Sequence, residues 1–78
     1  RWHNYAMPRD IRVRFSKHLK ELRQRKGYSV SELATRSRVS RQHIRDLELD
    51  VPHKRVTIVT LEKLSEGLGV PIWELLRF

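Results

Sequence analysis

The chain has no cysteine. That absence removes disulfide staples, thiolate zinc sites and a cysteine nucleophile together, and it fits a reducing, cytoplasmic setting. Only three residues are glycine, which leaves no glycine-rich phosphate loop and no coenzyme-binding fingerprint. No apolar run approaches the ~20 residues of a membrane-spanning helix. Arg1–Met7 lacks the charged-then-apolar pattern of a secretory signal, so export is not expected, and Met7 is a candidate native start. His3, His18, His43 and His53 lack metal-ligand spacing, so no metal or other cofactor is expected.

What is present is charge, mostly of one sign. Seventy-eight residues carry seventeen Lys+Arg against nine Asp+Glu, a formal net charge of +8, in a chain of one small domain's size. The charge is also uneven. Arg1 to Arg45 holds thirteen basic and three acidic residues, whereas Asp46 to Phe78 holds four and six. A solvated surface normally mixes the signs, so the N-terminal half is built to face a polyanion. Nucleic acid is the first candidate and an anionic membrane the second. A membrane-lying helix would need a broad stripe of Trp, Phe and Leu, and the first helix has instead a stripe suited to a protein core.

That stripe is Ile11, Phe15, Leu19 and Leu22, at steps of four, four and three. Arg12, Arg14, Lys17, Lys20, Arg25 and Lys26 mostly point elsewhere, and Gly27 stops the helix. Lys17, Lys20, Arg25 and Lys26 read as a solvated face rather than as contacts. Ser29-Val30-Ser31-Glu32 is a capping box, with Glu32 expected to reach back to the helix start. The second helix is short, carries Leu33 and Ala34, and ends near Ser37. Ser40 caps a third, to about Leu49, with Ile44 and Leu47 inward. Pro52 breaks the pattern and His53-Lys54-Arg55 forms a basic loop. Thr57 caps a fourth helix carrying Ile58, Leu61, Leu64 and Leu68, closed by Gly69. Pro71 opens a fifth with Ile72, Leu75 and Leu76. The expectation is an all-α, five-helix domain over residues 10–78, with residues 1–9 an N-terminal extension.

Two short helices joined by so few residues cross steeply, as in a helix-turn-helix. The residues that carry this pattern are Phe15-x3-Leu19-x2-Leu22-Arg23, Ser29-x2-Glu32-Leu33-Ala34, Val39-Ser40-Arg41-x2-Ile44-x2-Leu47-Glu48 and Thr60-Leu61-x2-Leu64-x3-Leu68-Gly69-Val70-x4-Leu75-Leu76. Over Phe15 to Leu76 the chain resembles the phage repressor and Cro-like (Xre-like) family, and within it small phage or restriction–modification control proteins. The resemblance implies the five-helix lambda-repressor-like fold, with the third helix in the major groove of double-stranded DNA.

It also implies roles. Arg41 and Gln42 match the main base-reading positions. Their side chains suit the task, since Arg bonds guanine O6 and N7 and Gln bonds adenine. Asp46 matches a third base-contacting position, where its carboxylate could accept from cytosine N4 or orient Arg41 or Arg45. Arg45 is within reach of a base or a phosphate. Backbone contacts are expected from Ser29, Arg36, Arg38, Ser40, His43, Lys54 and Arg55, which position the protein without reading sequence. Arg23 and Glu48 match a family pair that forms an internal salt bridge.

Two departures stand out. Val30 occupies the place of a phosphate-binding Gln, so the backbone amides near Ser29 are expected to serve instead. Arg38 occupies the place of a turn glycine and would adopt positive φ at a cost of about 1 kcal/mol.

Ser40, His43 and Asp46 are the letters of a hydrolase triad. At steps of three on one helix, with Ser40 a cap, they supply neither base nor oxyanion hole, and no enzyme is expected. One short helix reads too few base pairs for an operator, so a homodimer on an inverted repeat is expected, with Val59, Trp73 and Phe78 as candidate dimer contacts. Trp2 and Tyr5 lie in a segment with no clear helix signal. The sequence therefore reads as a cytoplasmic, nucleoid-associated transcriptional regulator, most naturally a repressor that occludes or positions RNA polymerase. Two alternatives share the fold: an antitoxin, partnered by a toxin protein, and a protein-bridging coactivator.

Overall fold

The structure is a computed structural model that describes residues 8–49 and 56–78. Trp2, Tyr5, His3, Pro52, His53, Lys54 and Arg55 lie outside the described residues. Five helices follow one another: α1 Pro8–Arg25, α2 Val30–Ser37, α3 Arg41–Glu48, α4 Ile58–Leu68 and α5 Ile72–Leu75. No strand occurs among the described residues. The start of α1 lies inside the stretch read from sequence as an extension.

Local chemistry accounts for the ends of these helices. Ser29, Ser40 and Thr57 each sit in extended backbone, and each accepts a hydrogen bond from the amide three residues on. The cap supplies a partner to an amide that the helix cannot satisfy internally. Gly69 closes α4 at φ 72°, where a side chain would meet its own backbone. Only half of the expected capping box forms as such. Ser29 Oγ accepts from Glu32 N at 3.0 Å, while the Glu32 carboxylate lies 3.5 Å from Arg36. That partner is one turn ahead on the same face, and its charge outweighs a neutral backbone amide.

The core is drawn from every element. Phe15, Leu19 and Leu22 of α1 meet Leu33 of α2, Val39 of the following turn, Ile44 and Leu47 of α3, Leu64 and Leu68 of α4, and Leu75 of α5. Burying one such aliphatic side chain contributes about 1.5–3 kcal/mol. Helix α1 packs on α3 and α5, while α4 packs on α2 and α5.

Several apolar positions read as inward are not. Ile11, Ile58, Ile72 and Leu76 are exposed, and Leu61 is only partly covered. Ile11 lies one turn before the first core contact of α1. Ile58 opens α4 ahead of its buried stretch. Helix α5 is a single turn and buries only Leu75.

Two polar tethers fasten the layers. Ser16 Oγ on α1 donates to the Leu47 carbonyl at the end of α3. His18 Nε2 lies 2.6 Å from the Glu74 carbonyl of α5. A carbonyl only accepts, so this ring nitrogen carries the hydrogen and donates. Helices α2 and α4 meet closely at Gly67, where a Cβ would lie 2.6 Å from Ser37 Cβ and 2.8 Å from Ser37 Cα. A side chain at this crossing would force Ser37 and the two helices to shift.

Candidate nucleic-acid interface

Helix α3 owes its position to its inner face. Ile44 and Leu47, three residues apart, are buried and anchor the helix in the core, which turns the opposite side outward. On that side Arg41, Gln42 and Arg45 are exposed, and Asp46 and His43 are half-buried. The Ser40 hydroxyl accepts from His43 N at 3.1 Å, so α3 begins with Arg41 and Gln42 in its first turn.

The angle between α2 and α3 is set by the turn between them. Arg38 adopts φ 63° and ψ 25°, the only positive φ at a non-glycine among the described residues. Its amide bonds the Ala34 carbonyl at 2.9 Å, which closes α2 in a left-handed cap. Ser37 Oγ then accepts from Val39 N at 3.2 Å, and Val39 drops into the core. A turn with a left-handed residue followed by a buried valine has one geometry, so α3 leaves α2 at a fixed crossing. A groove lined by Ser31, Thr35, Arg38, Ser40 and Arg41 runs along the outside of this crossing. Arg41 Nη1 approaches Ser31 Oγ across it at 3.5 Å, the outer limit of a hydrogen bond.

Behind α3 lies the Arg23–Glu48 pair. Arg23 Nε donates to Glu48 Oε2 at 2.8 Å and Nη2 donates to Oε1 at 3.0 Å. The two side chains are 11% and 7% exposed. Arg23 Nη1 also donates to the Tyr28 carbonyl at 2.8 Å. One planar guanidinium therefore holds the end of α3, the loop after α1 and α1 itself together, a task for which its rigid fork is suited.

The residues singled out from sequence fall into three groups. Arg41, Gln42 and Arg45 share the outer side of α3, with Asp46 and His43 beside them. Ser29, Arg38 and Ser40 line the capped start of α2 and the turn. Arg36 is drawn into local contacts, with its guanidinium 4.4 Å from the Tyr28 ring centre and 3.5 Å from Glu32. Val59, Trp73 and Phe78 are all exposed. Arginines lie near both aromatics: Arg77 is 5.9 Å from the Trp73 ring centre and Arg14 5.7 Å from that of Phe78.

One contact escaped the sequence reading. Gln42 Nε2 donates to Asp46 Oδ1 at 2.9 Å. The i to i+4 spacing of an amide and a carboxylate is its signal. It was hidden by the two arginines, Arg41 and Arg45, which are the more obvious partners for a carboxylate.

Comparison with known proteins follows the same lines. The family model for the helix-turn-helix matches residues 19–75. Control protein C.MunI of Mycoplasma sp is 36% identical over 67 residues, which span 85% of this chain and 88% of that protein. The crystal structure of the restriction-modification controller protein C.AhdI from Aeromonas hydrophila matches with a TM-score of 0.76 and 33% identity, over 82% of this chain and 94% of that one.

Proposed function

The chain belongs to the helix-turn-helix family and is a DNA-binding transcriptional regulator of the Cro-like (Xre-like) kind; from that premise we propose that it binds an inverted repeat as a homodimer and controls a restriction–modification operon. The observation that carries the reading is α3 itself, capped at Ser40 and anchored by Ile44 and Leu47, with Arg41, Gln42 and Arg45 on its outer side. Those side chains suit the donor and acceptor pattern of the major groove. Arg41, Gln42 and Arg45 serve the bases, with Asp46 serving them directly or through a neighbouring side chain. Ser29, Arg38, Ser40 and His43 serve the phosphates, with Arg36, Lys54 and Arg55 adding charge.

The protein acts by occupancy and not by chemistry. It works in the cytoplasm on nucleoid DNA, where it occludes or positions RNA polymerase. Protein concentration regulates it by setting the fraction dimerised. The dimer reading draws on the exposed Val59, Trp73 and Phe78, since association with a second copy would remove their apolar surface from water. Two relatives that are control proteins favour this reading over an antitoxin or a bridging coactivator.

The test is selection of the purified protein against random duplex DNA at physiological salt. Enrichment of an inverted repeat whose sequence changes with Arg41→Ala supports the reading. A pool that tracks only salt, with no motif, refutes it.

A further inference from the structure

We propose that Asp46 is a positioning residue that locks the Gln42 amide, so that α3 accepts adenine and rejects guanine at the base pair Gln42 faces. This rests on the reading of α3 as the major-groove helix. The Asp46 carboxylate has only acceptors, so it holds the amide NH2 of Gln42 and excludes the amide oxygen. An unrestrained glutamine amide turns either way and presents two donors, two acceptors or one of each. Bound to Asp46, Gln42 has one N–H committed and keeps one N–H and Oε1.

A donor beside an acceptor is the complement of adenine, whose N7 accepts and whose N6 amino group donates. The two groups lie on one edge of the amide when the hydrogen taken by Asp46 is the one anti to Oε1. Guanine presents two acceptors, N7 and O6, at the same place. Its O6 would face Gln42 Oε1 with a carboxylate close behind, and both repel it. A lone glutamine tolerates guanine by turning its NH2 towards O6, but the Asp46 bond forbids that rotation. Pre-ordering a long side chain also lowers the rotamer entropy lost on binding.

The sequence reading offered Asp46 as an acceptor for cytosine or as a brace for Arg41 or Arg45. The bond to Gln42 is a different role and makes a different forecast. Removing the carboxylate should alter the base opposite Gln42. It should also strengthen generic attraction to DNA, because a negative charge leaves a basic face. Loss of discrimination with gain of non-specific binding is a pair of effects that damage to the fold would not produce.

The experiment is selection from a random duplex pool with the wild-type chain and with Gln42→Ala, Asp46→Asn and Asp46→Glu, alongside thermal melting of each. The wild type is expected to enrich adenine at one position per half-site, and Gln42→Ala to lose it there. Asp46→Asn keeps the size but allows either amide orientation, and is expected to admit guanine at that position. The adenine-over-guanine ratio should fall about tenfold, within the discrimination a bidentate contact provides. Asp46→Glu retains the carboxylate and is expected to restore adenine. If Asp46→Asn relaxes a base pair other than the one relaxed by Gln42→Ala, Asp46 reads a base directly and the proposal is wrong. An unchanged motif with Asp46→Asn overturns it too. If Arg41→Ala and Gln42→Ala both leave the motif intact, the failure belongs to the assignment of α3, and the proposal falls with it.

Discussion

The Arg23–Glu48 pair gives the sharpest stability forecast, because its two halves are not equivalent. Arg23 makes three hydrogen bonds, two to Glu48 and one to the Tyr28 carbonyl. Glu48 has both its oxygens on Arg23. Replacing Arg23 by Met strands a carboxylate that is 7% exposed and also strips the Tyr28 carbonyl of its donor. Breaking a buried pair from one side costs about 3–5 kcal/mol, and an orphaned half-buried carbonyl adds about 1 kcal/mol. Glu48→Gln is milder. It keeps one acceptor for Arg23 and leaves the bond to Tyr28 intact, for a cost of about 2–3 kcal/mol.

A domain of this size is stable by roughly 4–12 kcal/mol, and each kcal/mol moves its midpoint by about 4–8 °C. Arg23→Met should therefore lower the melting temperature by well over 10 °C, and by more than Glu48→Gln. The double variant Arg23→Met/Glu48→Leu removes both charges and replaces them with apolar volume. It should be more stable than Arg23→Met alone, because no charge is left buried without a partner. The assay is thermal unfolding followed by circular dichroism, with every variant at one fixed protein concentration because the proposed dimer would make stability depend on it. If Glu48→Gln costs as much as Arg23→Met, or the double variant gains nothing, the account of Arg23 as a three-way tie is refuted.

Other perturbations separate scaffold from contact surface. Gly67→Ala would place a Cβ 2.6–2.9 Å from Ser37 atoms, including backbone. Overpacking of about 1–3 kcal/mol should exceed the gain in helix propensity of about 1 kcal/mol, and an unchanged or raised melting temperature would contradict this close approach. Arg38→Gly relieves a left-handed arginine and should stabilise by about 0.5–1 kcal/mol. The same change should reduce the salt dependence of DNA binding by about one phosphate contact, and parallel melting and salt titrations test both signs. Ser40→Ala removes the cap of α3 at a cost of about 1 kcal/mol. Its DNA affinity should fall together with stability, and an affinity loss without any melting change would mean that the hydroxyl acts on DNA directly.

Features set by local chemistry were legible in the sequence, and features set by what covers a surface were not. Ser29, Ser40 and Thr57 announced three helix starts, and Gly27 and Gly69 two ends, because a cap involves only neighbouring residues. The left-handed Arg38 and the Arg23–Glu48 pairing came from the family resemblance. Periodicity put Ile58, Ile72 and Leu76 in a stripe, yet they are exposed. A stripe marks the side of a helix but not whether another element reaches it. Buried polar residues reverse this error. Ser16, His18, Ser37 and Ser65 are covered, and each has a partner: Ser16 the Leu47 carbonyl, His18 the Glu74 carbonyl, Ser37 the Val39 amide and Ser65 the Glu62 carbonyl. These hydroxyl and ring groups look like solvent-facing residues in a local reading. Gly67 is similar, since a glycine inside a helix makes sense only once α2 is seen crossing α4.

Charge shows the same division and bears on how the protein meets DNA. By count, the N-terminal half carries ten more positive than negative charges. The fold spends some of that surplus internally. Arg23 is neutralised by Glu48 from the other half of the chain, while Arg36 is shared between the Tyr28 ring and Glu32, an acid that the count already subtracts. A cation buried in a pair, as Arg23 is, releases no counterions from DNA and adds nothing to the salt slope, and Arg36, which shares its charge with Glu32, adds less than an unshared arginine. Arg38, Arg41 and Arg45, by contrast, are exposed at the turn and along α3. The asymmetry of the sequence thus overstates the long-range attraction. It understates its focus, since the exposed arginines stand on the two elements whose crossing angle is fixed by the Arg38 turn and Val39. Non-specific affinity should therefore respond more to the loss of one of these three than to the loss of Arg23 or Arg36, although all five look alike in composition.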